Sequence, residues 1–182
     1  MAAGDPWRRR GMTEARALSA RFSLFGASAR LGWAAAFLTL AVDQAFKWWM
    51  LGPYDLARRG VVEVTSFFDL VLVWNRGVSY GWFTQSDDQG RWLLIGVSLV
   101  VVASMVVWLA KSRRHLANLA LGLIIGGALG NVIDRVVHGA VADFFSFHAF
   151  GYSWYVFNLA DVAIVVGVAL LILDSWREGR TG

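Results

Sequence analysis

Two aspartates, Asp143 and Asp161, are the residues of this chain best suited to acid–base chemistry. Asp161 stands at the start of the apolar run 162–173, where a carboxylate is costly unless it faces protein or water. Asp143 lies a short segment upstream, and that segment can fold back. Two carboxylates that meet at one membrane face can supply a base and an acid together. The pair therefore predicts a site of acid–base catalysis.

A structural role for Asp161 competes with this interpretation. Asn158 can cap the N-terminus of the last apolar helix, and Asp161, three residues later, can complete a capping box at the positive end of the helix dipole. On this pattern alone the cap is the preferred interpretation. Asp143 shifts the balance toward a site, because it follows another acid-bearing helix end on the same side of the membrane.

Further polar residues lie in or beside apolar stretches. Asp43 and Lys47 have i, i+4 spacing, so they share a helix face and can pair. Two roles stay open for them, a structural ion pair with Lys47 snorkelling to the interface and a place in the site. Asn131, Asp134 and Arg135 end a glycine-rich apolar stretch. They must face protein or water, and we expect them to orient other groups.

Metal and thiol chemistry are poorly supported. Cysteine is absent, so a disulfide framework, a thiolate metal site and a cysteine nucleophile are excluded. The histidines His115, His138 and His148 lack the paired helical spacing of a metal or haem motif. We expect no metal and no cofactor.

Composition places the chain in a membrane. Of its 182 residues, 57% are hydrophobic and only 16% are charged, which is too apolar for an ordinary soluble domain. A helix needs about 20 apolar residues to cross a hydrocarbon core of about 30 Å. Four stretches approach or exceed this length, at residues 31–51, 92–110, 116–133 and 154–176. The predicted fold is an all-α integral membrane protein with four transmembrane helices.

The basic residues predict how these helices are oriented. They cluster beside the spans and form no stripe with stacking aromatics, which argues against a nucleic-acid partner. They precede the first span, occupy the turn between the second and third, and follow the fourth, so both termini are expected to be cytoplasmic. Residues 1–30 are predicted to be a cytosolic tail with a short interfacial helix near 22–25, and residues 177–182 a second tail. The first apolar stretch is too long for a cleavable signal peptide, so we expect it to remain as the first helix.

The outer connection 52–91 is predicted to carry a small extracytoplasmic β-sheet. Residues 61–64 and 70–74 favour strands, and Asn75-Arg76-Gly77 ends the second strand with turn chemistry. Residues 78–83 then offer an aromatic surface to the membrane interface. The second outer connection, 136–153, is expected to lie on the same outer side of the membrane. In the third span, glycines at successive i+4 positions predict close packing against another helix; they are Gly122, Gly126 and Gly130.

Five short blocks follow one another along the chain. They are Asp43-Gln44 with Lys47; Asn75-Arg76-Gly77 with Gly81; residues 126–131 followed by Asp134-Arg135; residues 141–144; and residues 157–161 with Ile164. In this order they resemble the lipoprotein signal peptidases (signal peptidase II) of bacteria. The resemblance covers residues 31–176. Residues 78–80 and Ala142 depart from the usual pattern, which bears on the outer lid and on substrate preference.

The resemblance implies an intramembrane aspartic endopeptidase of the bacterial inner membrane. Such an enzyme removes the signal peptide of a prolipoprotein just before its diacylglyceryl-modified cysteine. The catalytic dyad would map onto Asp143 and Asp161, and the partners would be the lipid-modified precursor and membrane lipids, with the enzyme a monomer. The substrate-binding and supporting positions would be Asp43, Lys47, Asn75, Gly77, Asn131, Asp134, Arg135, Asn158 and Ala160.

Two other function classes account for some of these residues. A small transporter or proton-conducting protein would use the ionisable groups as a relay, but these gather toward the outer ends of the spans and leave the inner halves apolar. A membrane anchor for a partner subunit explains the glycine face of the third span. It gives no reason for Asp143 and Asp161 together.

Overall fold

Four long helices and a small antiparallel sheet make up the fold. The computed structural model describes residues 26–77 and 87–180. The elements in chain order are α1 (Ala27–Leu51), α2 (Leu56–Arg59), β1 (Val62–Thr65), β2 (Phe68–Asn75), α3 (Asp87–Lys111), α4 (His115–His138), β3 (Val141–Ala149), β4 (Tyr152–Ser153) and α5 (Leu159–Glu178). The interfacial helix expected near residues 22–25 and the aromatic segment 78–83 lie outside the described residues.

Helix α4 is the centre of the helical bundle, because α1, α3 and α5 all pack against it. Its most apolar 18-residue window is 67% buried, against 17% for α3 and for α5. The predicted glycine face is confirmed as a close packing surface. A Cβ at Gly122 or Gly126 would overlap backbone carbonyl oxygens of α1, and a Cβ at Gly127 would overlap the carbonyl of Ala160 in α5. The absence of side chains at these positions therefore lets two helices approach the same stretch of α4.

Three helices, α3, α4 and α5, are long and apolar enough to cross a membrane. The predicted first span falls in α1, whose C-terminal half contains Asp43, Gln44 and Lys47. These polar residues lower its hydropathy. The two charged ones face protein, because Asp43 is 1% exposed and Lys47 is 3% exposed.

The sheet has the strand order β1-β2-β3-β4, and all its pairs are antiparallel. The strands predicted at residues 61–64 and 70–74 are confirmed as parts of β1 and β2. The connection 136–153 contains a strand that was not predicted, because α4 continues to His138 and β3 follows almost at once. β3 forms by pairing with β2 along most of its length, with Val73 opposite Asp143 and Asn75 opposite Val141. That pairing joins segments about 70 residues apart in the chain, so a local sequence pattern does not predict it.

An apolar cluster attaches the sheet to the bundle. Met50 at the end of α1, Leu56 in α2, and Ala142 and Phe144 in β3 are all nearly inaccessible to solvent. The ring of Phe46 in α1 meets that of Phe144 edge to face at 5.7 Å between centroids. Because Ala142 and Phe144 flank Asp143, this packing places the Asp143 backbone against the end of α1.

Replacing Gly126 with alanine should destabilise the bundle, whereas the same change at Gly96 in α3 should not. A Cβ at Gly126 would overlap the Ala36 carbonyl and Thr39 Cβ of α1, while nothing lies within 4 Å of a Cβ at Gly96. Overpacking of this kind costs about 1–3 kcal/mol, and the gain in helix propensity is the same for both variants. Thermal unfolding of the detergent-solubilised Gly126→Ala and Gly96→Ala proteins measures the difference. Equal midpoints would contradict the close approach of α1 and α4.

Candidate active site

The structure brings Asp143 and Asp161 to the same end of the bundle. Asp143 is the third residue of β3, and Asp161 is the third residue of α5. The chain folds back between them, since the backbone N–H groups of Phe144 and Phe145 both donate to the carbonyl of Phe157, at 3.0 and 2.9 Å. This contact places the start of α5 directly against β3.

Two asparagine side chains join the two carboxylates. The Asn158 amide Nδ2 donates to Asp143 Oδ1 at 2.6 Å and to Asn131 Oδ1 at 3.2 Å. Nδ2 of Asn131 donates in turn to Asp161 Oδ1 at 2.8 Å. Asp143, Asn158, Asn131 and Asp161 thus form one continuous chain of hydrogen bonds. The orientation of each carboxylate is coupled to that of the other.

The capping box at the start of α5 is confirmed. The backbone N–H of Asp161 donates to Asn158 Oδ1 at 3.1 Å, and the N–H of Asn158 donates to Asp161 Oδ2 at 3.2 Å. The cap uses only Oδ2 of Asp161 and leaves Oδ1 to accept from Asn131. The structural and the functional interpretations of Asp161 are therefore compatible, because the cap itself fixes the direction in which the carboxylate points.

Asn75 holds the second oxygen of Asp143. Its Nδ2 donates to Asp143 Oδ2 at 3.1 Å, and its Oδ1 accepts from the backbone N–H of Gly77 at 2.9 Å. Gly77 has a φ of +97°, in the left-handed region that favours glycine. The turn predicted at residues 75–77 therefore ends β2 and also fixes the amide of Asn75. Gly77 acts through this turn and makes no hydrogen bond to either aspartate.

A buried ammonium group lies beneath this chain of amides. Lys47 Nζ is 2.9 Å from Asp43 Oδ2 and 2.8 Å from Asp134 Oδ2, and it donates to Asn131 Oδ1 at 3.4 Å. The ion pair predicted from the i, i+4 spacing of Asp43 and Lys47 is confirmed. The snorkelling alternative is wrong, because Lys47 is 3% exposed and points into the protein toward two carboxylates.

The two acids paired with Lys47 also hold the backbone next to each central aspartate. Asp43 Oδ1 accepts from the N–H of Ala160, which precedes Asp161, at 3.1 Å. In the same way Asp134 Oδ2 accepts from the N–H of Ala142, which precedes Asp143, at 3.1 Å. Both ends of the site are therefore attached to one buried cation.

Gln44 belongs to this network, although the sequence analysis did not assign it to the site. Its Nε2 lies 3.1 Å from Asp134 Oδ1, 3.2 Å from Asp43 Oδ2 and 3.3 Å from the Gly130 carbonyl. The signal was its i, i+3 spacing with Lys47, which puts both side chains on one face of α1. Gly130 makes room for this contact, because a Cβ there would overlap Asp43 Oδ2.

Arg135 adds positive charge beside the acids. It interacts electrostatically with Asp161, Asp134 and Asp143, and its Nη1 donates to the Asn131 carbonyl at 3.3 Å. Its Nε is buried and has no hydrogen-bond partner among the described residues. The guanidinium thus offsets part of the negative charge that the aspartates bring together.

Burial raises the pKa of Asp143 to about 6. The hydrogen bonds from Asn75 and Asn158 favour the ionised form and oppose this rise, while the nearby charge of Asp161 adds to it. Asp143 can therefore hold a proton at a pH where an exposed aspartate has lost it. Asp161 is a second carboxylate close enough for its charge to act on this pKa.

No group of three or more His, Cys, Asp or Glu side chains is arranged to hold a metal ion in the part of the chain that the structure describes. The carboxylates of Asp43 and Asp134 are directed at Lys47 instead.

Comparisons with known proteins agree with one another. The family model described as Signal peptidase (SPase) II matches residues 35–177. A lipoprotein signal peptidase of Rhodopseudomonas palustris strain TIE-1 is 54% identical over 150 residues, which cover 80% of this chain and 92% of the relative. One from Nitrobacter hamburgensis is 52% identical over 151 residues, covering 81% and 92%. A bacterial membrane enzyme solved by the in meso method at 1.9 Å has a TM-score of 0.68 at 25% identity, covering 85% of this chain and 95% of that one.

Signal peptidase II is a protease, and this family together with the three candidate spans indicates a protein of the bacterial inner membrane. The family model matches most of the length of the chain, and the relatives are about half identical to it. The chain belongs to the signal peptidase II family.

Proposed function

We propose that this chain is an intramembrane aspartic endopeptidase that removes the signal peptide from diacylglyceryl-modified prolipoproteins, cleaving before the lipidated cysteine. Asp143 and Asp161 form the catalytic pair. The observation that carries the proposal is the continuous chain of hydrogen bonds from Asp143 through Asn158 and Asn131 to Asp161. The names of its relatives, lipoprotein signal peptidases, support the substrate class.

The two aspartates have different environments and therefore different roles. Asp143, whose pKa burial raises to about 6, is the protonated partner that polarises the scissile carbonyl. Asp161 lies in the first turn of α5, where the helix dipole favours a negative charge, and it takes a proton from the attacking water. As the tetrahedral intermediate collapses, the leaving amine receives a proton and the carbon–nitrogen bond breaks.

The remaining polar residues position this pair. Asn75, Asn131 and Asn158 hold the carboxylate oxygens, and Arg135 balances their charge. Asp43, Lys47 and Asp134 hold the backbone N–H groups of Ala142 and Ala160 through the buried ion pairs; Gln44 joins them. Truncating the side chain of one of these positioning residues would displace a catalytic carboxylate without removing it.

We further propose that α1 is a fourth membrane span. Its 25 residues extend about 37 Å at about 1.5 Å per residue, longer than a hydrocarbon core of about 30 Å. Its charged residues Asp43 and Lys47 are buried against α4, while Phe37 and Leu38 point outward and are 74% and 63% exposed. Four spans place both termini in the cytoplasm and the sheet and the catalytic pair at the outer face. Residues 31–176 then form one monomeric peptidase domain between tails 1–30 and 177–182.

The packing argues against a transmembrane relay. A buried apolar cluster lies between the polar network and the opposite end of the bundle; its members are Ala29, Ala36, Leu109, Leu121 and Ile125. A proton or ion path through this layer would lack hydrogen-bonding partners. The ionisable groups are thus gathered at one end, as a site at one membrane face requires.

Asparagine at either catalytic position should abolish cleavage without unfolding the protein. Loss of one acid or base from the pair should lower kcat/KM for a lipidated precursor by about 10²–10⁴-fold. Asp55→Asn is the matched control, since Asp55 lies outside the site and its left-handed backbone, with φ of +49°, suits asparagine. Cleavage is followed by gel shift with a chelator present, and thermal unfolding verifies the fold. Retained activity in Asp143→Asn or Asp161→Asn would disprove the assignment.

The alkaline limb of the pH profile should report the proton on Asp143. As the pH rises through about 6, Asp143 loses the proton it donates, so kcat/KM should fall. Asn75→Ala removes a hydrogen bond that lowers the pKa of Asp143, so the pKa should rise and the falling limb should move to higher pH. A limb that stays in place, or moves to lower pH, would contradict the role of Asp143 as acid.

Single cysteines can test the four-span topology, because the chain has none of its own. Phe150→Cys, at a position that is 100% exposed beyond β3, should react with a membrane-impermeant maleimide in intact spheroplasts. Ala27→Cys and Arg113→Cys should react only after permeabilisation. Labelling of Ala27→Cys from outside would show that α1 does not cross the membrane.

A further inference from the structure

A cavity lies at the end of the bundle opposite the catalytic pair. It has a volume of about 460 Å³ and is formed by the end of α3, the turn from α3 to α4, the first turn of α4 and the last turns of α5. Asp161 lies in the first turn of α5 and Glu178 ends the helix, so about 17 residues of helix, or roughly 25 Å, separate the site from the cavity. The cavity is therefore distinct from the active site.

A lateral groove between α3 and α5 that ends at the cavity is inferred from the way these helices pack. α3 and α5 both pack on α4, and the contacts between α3 and α5 themselves are few. Apolar side chains of the two helices are exposed near the cavity, with Val107 48%, Val168 44% and Ile172 66% accessible. In a membrane these surfaces face acyl chains. An acyl chain can therefore lie along the groove with its headgroup at the cavity.

Positive charge predominates in the cavity wall. The lining side chains include three cations, Lys111, Arg113 and Arg114, and one anion, Glu178. Arg114 bonds to Glu178 and to Asp174, so it closes the wall between the α3–α4 turn and α5. Even when Asp174 is counted, one positive charge remains in excess. Lys111 and Arg113 are the two cations of this wall that are exposed at its rim.

The start of α4 adds further groups suited to an anion. Its N-cap is Arg114, no side chain caps the helix, and no acidic residue occupies the first turn. Ala117, in that turn, lines the cavity, as does Ser112. An uncapped helix start favours negative charge through its N–H groups and dipole. Trp108, which is 45% exposed on the cavity wall, supplies a ring suited to the headgroup level of a bilayer.

We propose that this cavity binds the phosphate-bearing headgroup of an anionic phospholipid, whose acyl chains lie in the groove between α3 and α5. The phosphate contacts Lys111 and Arg113 near the uncapped start of α4, and Trp108 packs beside the glycerol. Basic pockets between helices at a membrane face suit such headgroups, since juxtamembrane cations are attracted to anionic lipid. This site needs no catalytic activity and is independent of the proposed peptidase mechanism.

The test is native mass spectrometry of the full chain in detergent with added lipid. Wild type should retain one phosphatidylglycerol in preference to phosphatidylcholine of the same acyl chains. Lys111→Gln/Arg113→Gln should weaken retention of phosphatidylglycerol by at least about tenfold. Arg177→Gln/Arg180→Gln is the matched control, because it removes the same charge at the same end of the bundle from residues that do not line the cavity. That variant should bind as wild type does.

Several results would overturn the proposal. Equal retention of the two lipids would show that no headgroup is recognised, and equal loss in both double variants would reduce the effect to general surface charge. Displacement of the lipid by inorganic phosphate at equal concentration would indicate a site for a free anion. Ser112→Asp provides a second variant: it adds a negative charge at the cavity, so unchanged retention of phosphatidylglycerol would also disprove the site.

Discussion

The candidate site depends on one buried ammonium group, that of Lys47, held between the carboxylates of Asp43 and Asp134. Each of these acids uses another contact to hold the N–H of the residue before a proposed catalytic aspartate, Ala160 in one case and Ala142 in the other. Removing one partner of a buried ion pair leaves an uncompensated charge and costs about 3–5 kcal/mol. The positions of β3 and of the start of α5 are therefore tied to the same charge. The network thus positions the chemistry as well as stabilising the fold.

The contact of Lys47 with Asp134 can form only because α1 and α4 approach each other closely. Gly130 leaves the space that Asp43 occupies, and Gly127 lets the backbone of α5 pack against the other side of α4. Small residues in membrane helices bring backbones together, which replaces the hydrophobic force that drives packing in water. Here the same glycines also bring side chains of α1, α4 and α5 within hydrogen-bond distance. The glycines of α4 thus determine both how the helices pack and where the side chains of the site lie.

The site combines groups whose environments differ although they are linked. Asp143 is 1% exposed on a strand, and Asp161 lies at a helix N-terminus in a capping box. Burial favours the neutral acid in the first position, and the helix dipole favours the anion in the second. A pair of carboxylates with opposite tendencies can divide acid and base roles between them. The intervening amides of Asn131 and Asn158 keep the two in a fixed relation whichever one carries the proton.

The sequence by itself determined the features that depend on short spacing: the apolar stretches that became helices, the glycine face of α4, the turn at Asn75 and Gly77, and the cap that joins Asn158 to Asp161. Each follows from residues a few positions apart, because helix and turn geometry repeat over that distance. Only the tertiary structure decided that residues 141–149 form a strand, that Lys47 is buried, that Gln44 joins the network and that Asn158 links the two aspartates. These contacts join residues up to 90 positions apart in the chain. They arise from the packing of whole helices and strands. The free energy of that packing depends on residues far apart in the chain, so a local sequence pattern does not predict it.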